Sequence, residues 1–269
     1  IYFLKRFENT KSHLLKIKYE AYIKELLNGL KKTSEKDEYG IKWSSEIKKD
    51  DKPEIVYNLS LSHGMSSITN FLARAYAFNE FQKLASPLLR GSVGYILAQE
   101  QSIGYSLFPS TISKNSKTEP IQSRLSWCYG DLGLGLSLYK AGQILQDPEL
   151  TENANRILIH STKRKGSQAC GVIDASPCHG AFGLAQIYGT MFRLTQITEF
   201  REATDHWMSE GLKFATYEDG YAGYKQERWG KPPINEVNLL EGIAGIGLSI
   251  ISYLSDFDPN WEESLMIKL

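Results

Sequence analysis

Residues 178–183 read Cys178-His179-Gly180-Ala181-Phe182-Gly183, and three further stretches follow the same pattern. They are Ser62-His63-Gly64-Met65-Ser66-Ser67, Cys128-Tyr129-Gly130-Asp131-Leu132-Gly133 and Leu240-Glu241-Gly242-Ile243-Ala244-Gly245. Each has a residue pair, a glycine, two residues, a small residue, and then an apolar stripe. A recurring supersecondary unit accounts for this better than chance does. The stripes have helical spacing. Ile68, Phe71, Leu72 and Ala75 follow the first motif, and Leu184, Ile187, Tyr188, Met191 and Phe192 the third. Ile243, Ile246, Ile250, Ile251 and Leu254 follow the fourth. The second helix, with Leu132, Leu134, Leu136, Leu138 and Tyr139, is apolar nearly all round and predicts a helix buried on every side.

More charged amphipathic helices lie between these. One carries Leu15, Tyr19, Tyr22, Ile23, Leu26 and Leu30; the next carries Phe81, Leu84, Ala85, Leu88 and Leu89, with Pro87 expected to break or kink it. Leu150, Ala154, Ile157 and Leu158 mark a third, and Phe200, Ala203, Trp207, Met208 and Gly211 a fourth. Strand signals are sparse. Alternating solvated and buried helices, with glycine at each buried start, predict an all-α chain: an α/α toroid of inner and outer helices in one domain spanning 1–269. The intervals vary, which favours divergent hairpins over a regular solenoid. The loops before the inner helices, 31–58, 104–126, 163–177 and 216–240, are long and polar, as functional loops are. They are expected to open on one end of the ring.

The chain has 269 residues, enough for one sizeable core or two small ones. It has 31 basic and 31 acidic residues, so net charge exerts no global pull toward nucleic acid or anionic membrane. No segment reaches the roughly 18 consecutive apolar residues of a membrane helix. The N-terminus has no secretory pattern, and the chain reads as cytoplasmic. Three cysteines without such a signal favour reduced thiols over a disulfide framework.

Cys128 and Cys178 occupy equivalent positions, two before the motif glycine, so the repeat brings them together although 50 residues separate them. His179 adjoins Cys178. Two thiolates and an imidazole suit Zn²⁺, and three protein ligands leave the open position of a catalytic site. A lone core cysteine is more often a small hydrophobe, and Cys170, outside the motif, reads as an idle thiol. His63 stands where His179 does, directly before glycine. It reads equally as a general acid/base in the same cavity mouth or as a loop histidine capping a helix. Arg124 and Tyr129 flank Cys128, as support for the ligand, as substrate contacts, or as a surface arginine and a packed tyrosine. His13, His160 and His206 fall on outer helices and are expected to be solvated. Glu241 takes the His179 position in the fourth motif and receives no role.

Ser126-Trp127-Cys128-Tyr129-Gly130 and Pro177-Cys178-His179-Gly180, preceded by Ser62-His63-Gly64, resemble the signature of the LanC-type lanthionine synthetases, the lanthipeptide cyclases. The resemblance runs from about residue 55 to the C-terminus. It implies an α/α toroid with one zinc ion on Cys128, Cys178 and His179. It also implies that His63 matches the family's acid/base histidine, Arg124 an active-site arginine, and Tyr129 the tyrosine beside the first ligand. Ser67 replaces the usual second glycine of the histidine motif. The family's site also draws an aspartate from its N-terminal half, and no segment here matches it.

The implied reaction is the closing of thioether rings. A peptide cysteine takes the open zinc position, where metal coordination deprotonates a thiol whose free pKa is near ~8.5. The thiolate adds to the β-carbon of a dehydroalanine or dehydrobutyrine in the same peptide, and the enolate is protonated by His63. The implied partners are a dehydrated precursor peptide and a dehydratase, separate or fused. Two alternatives keep the zinc: addition of glutathione or another free thiol to dehydrated proteins, and a zinc-stabilised peptide-binding scaffold without catalysis. A sugar-processing toroid would need paired carboxylates, and Glu241 and Asp131 make no convincing pair. Four outer–inner hairpins, 12–78, 81–146, 149–194 and 199–254, fall short of the ring of about seven that the resemblance implies. The expectation is an incomplete toroid, the C-terminal part of a longer one.

Overall fold

The computed structural model describes residues 1–49, 52–114, 122–165, 167–255 and 260–268. It divides into two compact units: Ile1–Ser102 with Phe108–Ile121 and Ser137–Ala154, and Ile103–Leu107 with Gln122–Leu136 and Asn155–Leu269.

The first unit opens with α1 (Tyr2–Asn9) and α2 (His13–Thr33). Two short strands follow, β1 (Glu35–Lys36) and β2 (Ile41–Lys42), and then β3 (Ser44–Lys49) and β4 (Lys52–Asn58). The inner helix α3 (Met65–Tyr76), the outer helix α4 (Asn79–Leu97) and strand β5 (Thr111–Ser113) complete it, together with the end of α5 (Asp131–Leu145) and the start of α6 (Pro148–Thr162). Helix α4 packs against α3 and α2. Phe7 of α1 meets Phe78 and Phe81 with ring centroids 5.5 and 5.2 Å apart, which anchors the N-terminal helix in the core.

Three expectations change here. In α2, Ile23 and Leu27 are buried, whereas Leu15, Tyr22 and Leu26 are exposed. The buried line lies to one side of the expected stripe. Phe3 of α1 packs on Tyr19 and Tyr22 from outside, 6.1 and 5.1 Å away. Helix α4 runs unbroken through Pro87. The proline ring faces solvent, and the buried residues on either side of it, Phe81, Ala85, Leu88 and Leu89, hold the helix against the loss of one backbone donor. The chain is helix-rich but not all-α. Loop 31–58 contains strands, with β1 paired to β2 and β3 paired antiparallel to β4, while β5 adds to the other edge of β4. Their sequences hide them: β3 is Ser-Ser-Glu-Ile-Lys-Lys, with one apolar residue, so no alternation shows.

The second unit holds the start of α5, the end of α6, the single turn α7 (Ser167–Cys170), α8 (Ala181–Thr195) and α9 (Thr198–Lys213). It continues with a ribbon of β6 (Gln226–Arg228) and β7 (Lys231–Ile234), then α10 (Ile243–Leu254) and a 3₁₀ segment, Asn260–Leu265. The inner helix α8 packs against the outer helix α9 and against α10. Tyr188 stacks on Phe200, and a Cβ at Gly211 would come within 2.8 Å of the Phe182 ring, so a glycine lets α9 close on α8.

A buried ion pair fixes the segment that carries Cys128. Arg164 donates to Asp131 (3.2 Å), to the Ser123 carbonyl (2.5 Å) and to the Ala169 carbonyl (2.9 Å). Asp131 also accepts from the Leu107 N–H at 3.0 Å. Both side chains are almost wholly buried, and all these partners are needed to offset the desolvation of two charges. Asp131 is thereby committed to structure. Among the described residues no helix is long and apolar enough to cross a membrane.

Candidate functional site

One loop design recurs before every inner helix. A Cβ on the motif glycine would fall 2.1 Å from the Asn58 carbonyl at Gly64, 2.4 Å from that of Arg124 at Gly130, 2.5 Å from that of Asp174 at Gly180 and 2.6 Å from that of Glu236 at Gly242. In each case the contact is six residues back. The loop folds onto its own start, and only glycine admits that approach. The residue just before the glycine is thereby held at the mouth of the helix.

Backbone hydrogen bonds join three of these loops in the second unit. The Cys128 N–H donates to the Cys178 carbonyl (3.4 Å), and the Cys178 N–H donates to the Leu240 carbonyl (2.8 Å). The side chains of Cys128, Cys178, His179 and Glu241 are gathered by this chain of bonds. The Cys178 thiol donates to the Cys128 sulfur. Arg124 Nη2 donates to the same sulfur at 3.6 Å, and the Ser126 hydroxyl lies 3.5 Å from it. Donated hydrogen bonds and a neighbouring cation bring the Cys128 pKa down to about 5, the Cys178 thiol contributing most, against its burial. The Cys178 thiol moves the other way: it gives its hydrogen bond to a thiolate, is buried, and feels the charges of Cys128 and Glu241. The opposite shifts mark a pair that holds one proton between its two sulfurs. A bound divalent cation would let both thiols ionise.

The sulfur of Cys178, a ring nitrogen of His179 and a carboxylate oxygen of Glu241 lie within 4.8 Å of one another. His179 is 9% exposed, and its Nε2 stands 3.6 Å from Asp174 Oδ2. That charge contact with a carboxylate is the arrangement that orients a metal-binding imidazole. Asp174 is itself fixed by the N–H groups of Ser176 (2.9 Å, to Oδ1) and Glu227 (3.3 Å, to Oδ2). Glu241 accepts from Gln226 Nε2 of β6 at 2.6 Å. The Cys128 sulfur is not within that group and joins it through its hydrogen bond with Cys178; sulfur, nitrogen and oxygen donors of these kinds suit a zinc ion.

Of the residues expected at the site, Cys128, Cys178, His179 and Arg124 come together. Tyr129 adjoins them in sequence, half-buried, its N–H bonded to Ser126 Oγ at 3.0 Å. His63 belongs to the first unit, where it is exposed and its N–H donates to Ser60 Oγ at 3.0 Å. Ser67, in place of the second glycine, turns its hydroxyl back onto the Gly64 carbonyl at 2.7 Å. Cys170 is buried, and its carbonyl accepts from the Leu125 N–H at 2.7 Å. His13 is exposed as expected, but His160 and His206 are half-buried. Burial, with Lys165 nearby, lowers the His206 pKa. Sequence reasoning passed over Asp174, Gln226 and the proximity of Glu241. The available signal for Glu241 was its position before a motif glycine, shared with His179.

The fold is similar to that of nisin cyclase, with a TM-score of 0.63 and 21% identity over 79% of this chain and 50% of that one. A 78-residue stretch is 32% identical to the Uncharacterized protein y4hQ of Sinorhizobium fredii (strain NBRC 101917 / NGR234), covering 28% of this chain and 40% of that protein. The chain thus spans about half the length of nisin cyclase. The sequence model of the family described as Lanthionine synthetase C-like protein matches residues 1–266, reaching further toward the N-terminus than the motifs themselves. The chain belongs to the lanthionine synthetase C-like family.

Proposed function

We propose that this chain carries the zinc site of a lanthipeptide cyclase, which joins a peptide cysteine to a dehydroalanine or dehydrobutyrine of the same peptide as a thioether. The observation that supports this reading is that two joined loops bring Cys128 beside Cys178 and His179 in a chain of this family. Cys128, Cys178 and His179 would hold the zinc ion. When bound, zinc supplies the positive charge that keeps a substrate thiol ionised and nucleophilic at neutral pH. Arg124 holds the Cys128 sulfur as thiolate, and Asp174 fixes the His179 ring. Tyr129 bounds the substrate side of Cys128. The sulfur lone pair forms the new C–S bond at the β-carbon, the π pair moves toward the neighbouring carbonyl as an enolate, and a proton returns to the α-carbon. His63 is the proposed donor of that proton.

The substrate is a dehydrated precursor peptide, so a dehydratase must act first, as a partner or a fused domain. The site requires reduced thiols, which suits a cytoplasmic setting. The test uses a dehydrated peptide containing one cysteine. Ring closure leaves the mass unchanged, so free thiols are counted by alkylation. Thiol loss that depends on protein and on added zinc is expected. No loss above the uncatalysed rate with the zinc-loaded chain would refute cyclisation by this chain, and a gain in peptide mass by one small thiol, with the peptide cysteine still free, would move the reading to intermolecular addition.

A further inference from the structure

Of the chain's five tryptophans, Trp43, Trp127 and Trp207 are buried, and Trp261 is half-buried with its indole N–H on Ser252 Oγ at 2.9 Å. Trp229 is 74% exposed. It stands at the turn of the β6–β7 ribbon, between the paired residues Arg228 and Lys231. Gly230 beside it takes the left-handed conformation, φ +68°, and a Cβ there would meet nothing within 4 Å, so the tip stands clear of the chain. The Arg228 guanidinium is held back on the Pro232 carbonyl, at 3.0 and 2.7 Å.

The start of the ribbon is tied to the candidate site. Gln226 Nε2 donates to Glu241 at 2.6 Å, and the Glu227 N–H donates to Asp174 at 3.3 Å. The Tyr217 hydroxyl bonds to the Glu227 carboxylate, and Asn238 Oδ1 accepts the N–H groups of Leu240 and Glu241 at 2.9 and 2.8 Å. Trp229 follows Gln226 by three residues, about 10 Å of extended chain. Leu240, whose carbonyl accepts the Cys178 N–H, is exposed as well. A single exposed apolar residue is ordinary. This one is a large indole on a fixed ribbon, which offers broad apolar contact at little cost in entropy, and it is tied by two hydrogen bonds to residues that adjoin Cys178 and His179.

We propose that Trp229 is a substrate-holding residue of this site, its indole taking an apolar side chain of the precursor peptide about three residues from the cysteine that reacts. The inference rests on the cyclase reading above. An extended peptide covers about 10 Å in three residues, so a cysteine at the Cys178 sulfur brings its third neighbour to the distance of the ring. The contact selects which cysteine of a precursor enters the site, because a polar residue at that distance gains nothing from the indole.

The probes are two synthetic peptides of glycine and serine around one cysteine, with leucine or serine at the third residue on each side. A form with one dehydroalanine reads ring closure, and a fluorescein-labelled form with alanine in its place reads binding by anisotropy. The zinc-loaded 269-residue chain should bind the leucine peptide about tenfold more tightly than the serine peptide, the effect of one well-packed aromatic contact. Trp229→Ala should raise the dissociation constant and the KM of the leucine peptide by about tenfold, while kcat, zinc content and serine-peptide binding stay as in the unaltered chain. Trp229→Phe should keep most of the preference. Equal binding of the two peptides by the unaltered chain, an undiminished preference in Trp229→Ala, or equal losses for both peptides would overturn the proposal. Failure of the cyclase reading looks different: the leucine preference and its loss in Trp229→Ala persist in binding, and the dehydroalanine peptide is not closed.

Discussion

The loops Asn58–Gly64 and Asp174–Gly180 are the same piece of backbone used twice. Asn58 Oδ1 accepts the Ser60 N–H at 2.9 Å, and Asp174 Oδ1 accepts the Ser176 N–H at 2.9 Å. Both glycines press on the carbonyl six residues back, and both loops end with histidine before glycine. Their sequences differ at four positions: Asp174 stands for Asn58, Ala175 for Leu59, Pro177 for Leu61 and Cys178 for Ser62. The third loop has Cys178 where the first has Ser62, it has the carboxylate of Asp174 where the first has the amide of Asn58, and its histidine is 9% exposed where His63 lies open. The repeat therefore supplies position, and a few atoms decide whether a position becomes a metal ligand. A serine hydroxyl keeps its proton near neutral pH, while a thiol gives its proton up to a soft cation.

The strongest way to break this comparison is to give the third loop the first loop's residue. Cys178→Ser should abolish stoichiometric zinc in elemental analysis, a larger loss than the roughly 10–100-fold that follows removal of a supporting group. Zinc retained at one per chain would show that the donor set is wrong. The shared proton makes a companion expectation. Near neutral pH the two sulfurs hold one proton between them, because the Cys178 thiol is hydrogen-bonded to the Cys128 sulfur. Metal binding must expel that proton, so affinity should fall by about tenfold for each pH unit of acidification from neutrality.

The first loop is tested by its histidine. His63→Ala is expected to keep zinc at the level of the unaltered chain and to slow ring closure by about 10²–10⁴-fold, the usual contribution of a general acid. The same alkylation count of free thiols reads the rate. A normal rate would leave His63 with no more than a place in the loop. A loss of zinc would mean that the two loops are not separated in role as their residues imply.

The three proposed sulfur and nitrogen ligands are legible because motif glycines fall at fixed offsets from them, and a fixed offset before a glycine survives divergence of everything between. Glu241 had the same offset, yet its meaning depends on the bond from Cys178 N–H to the Leu240 carbonyl, a contact across more than 60 residues that no local pattern encodes. The hairpin order was legible from apolar spacing. The strands were not, because a ribbon at a loop edge buries one face at most and β3 offers a single Ile47 to show it. The face of α2 was misread for a related reason. Its apolar residues cover a wide arc, and which part is buried is set by the helices packed against it, α4 and α1.

The smallest expected effect is the most discriminating between the two loops. Asp174→Asn makes the third loop the chemical copy of the first at that position. The side-chain oxygen that accepts the Ser176 N–H remains, so the fold should be kept and thermal unfolding should shift little. What is lost is the negative charge 3.6 Å from His179 Nε2, a neighbour of the kind that orients a metal-binding imidazole. Zinc affinity should drop by about 10–100-fold, short of the abolition expected for Cys178→Ser. The reverse change, Asn58→Asp, should create no zinc site, because Ser62 still stands where a thiol is needed. If Asp174→Asn binds zinc as tightly as the unaltered chain, the carboxylate serves only to fold the loop, and the thiol of Cys178 rather than the charge of Asp174 separates the two loops in metal binding.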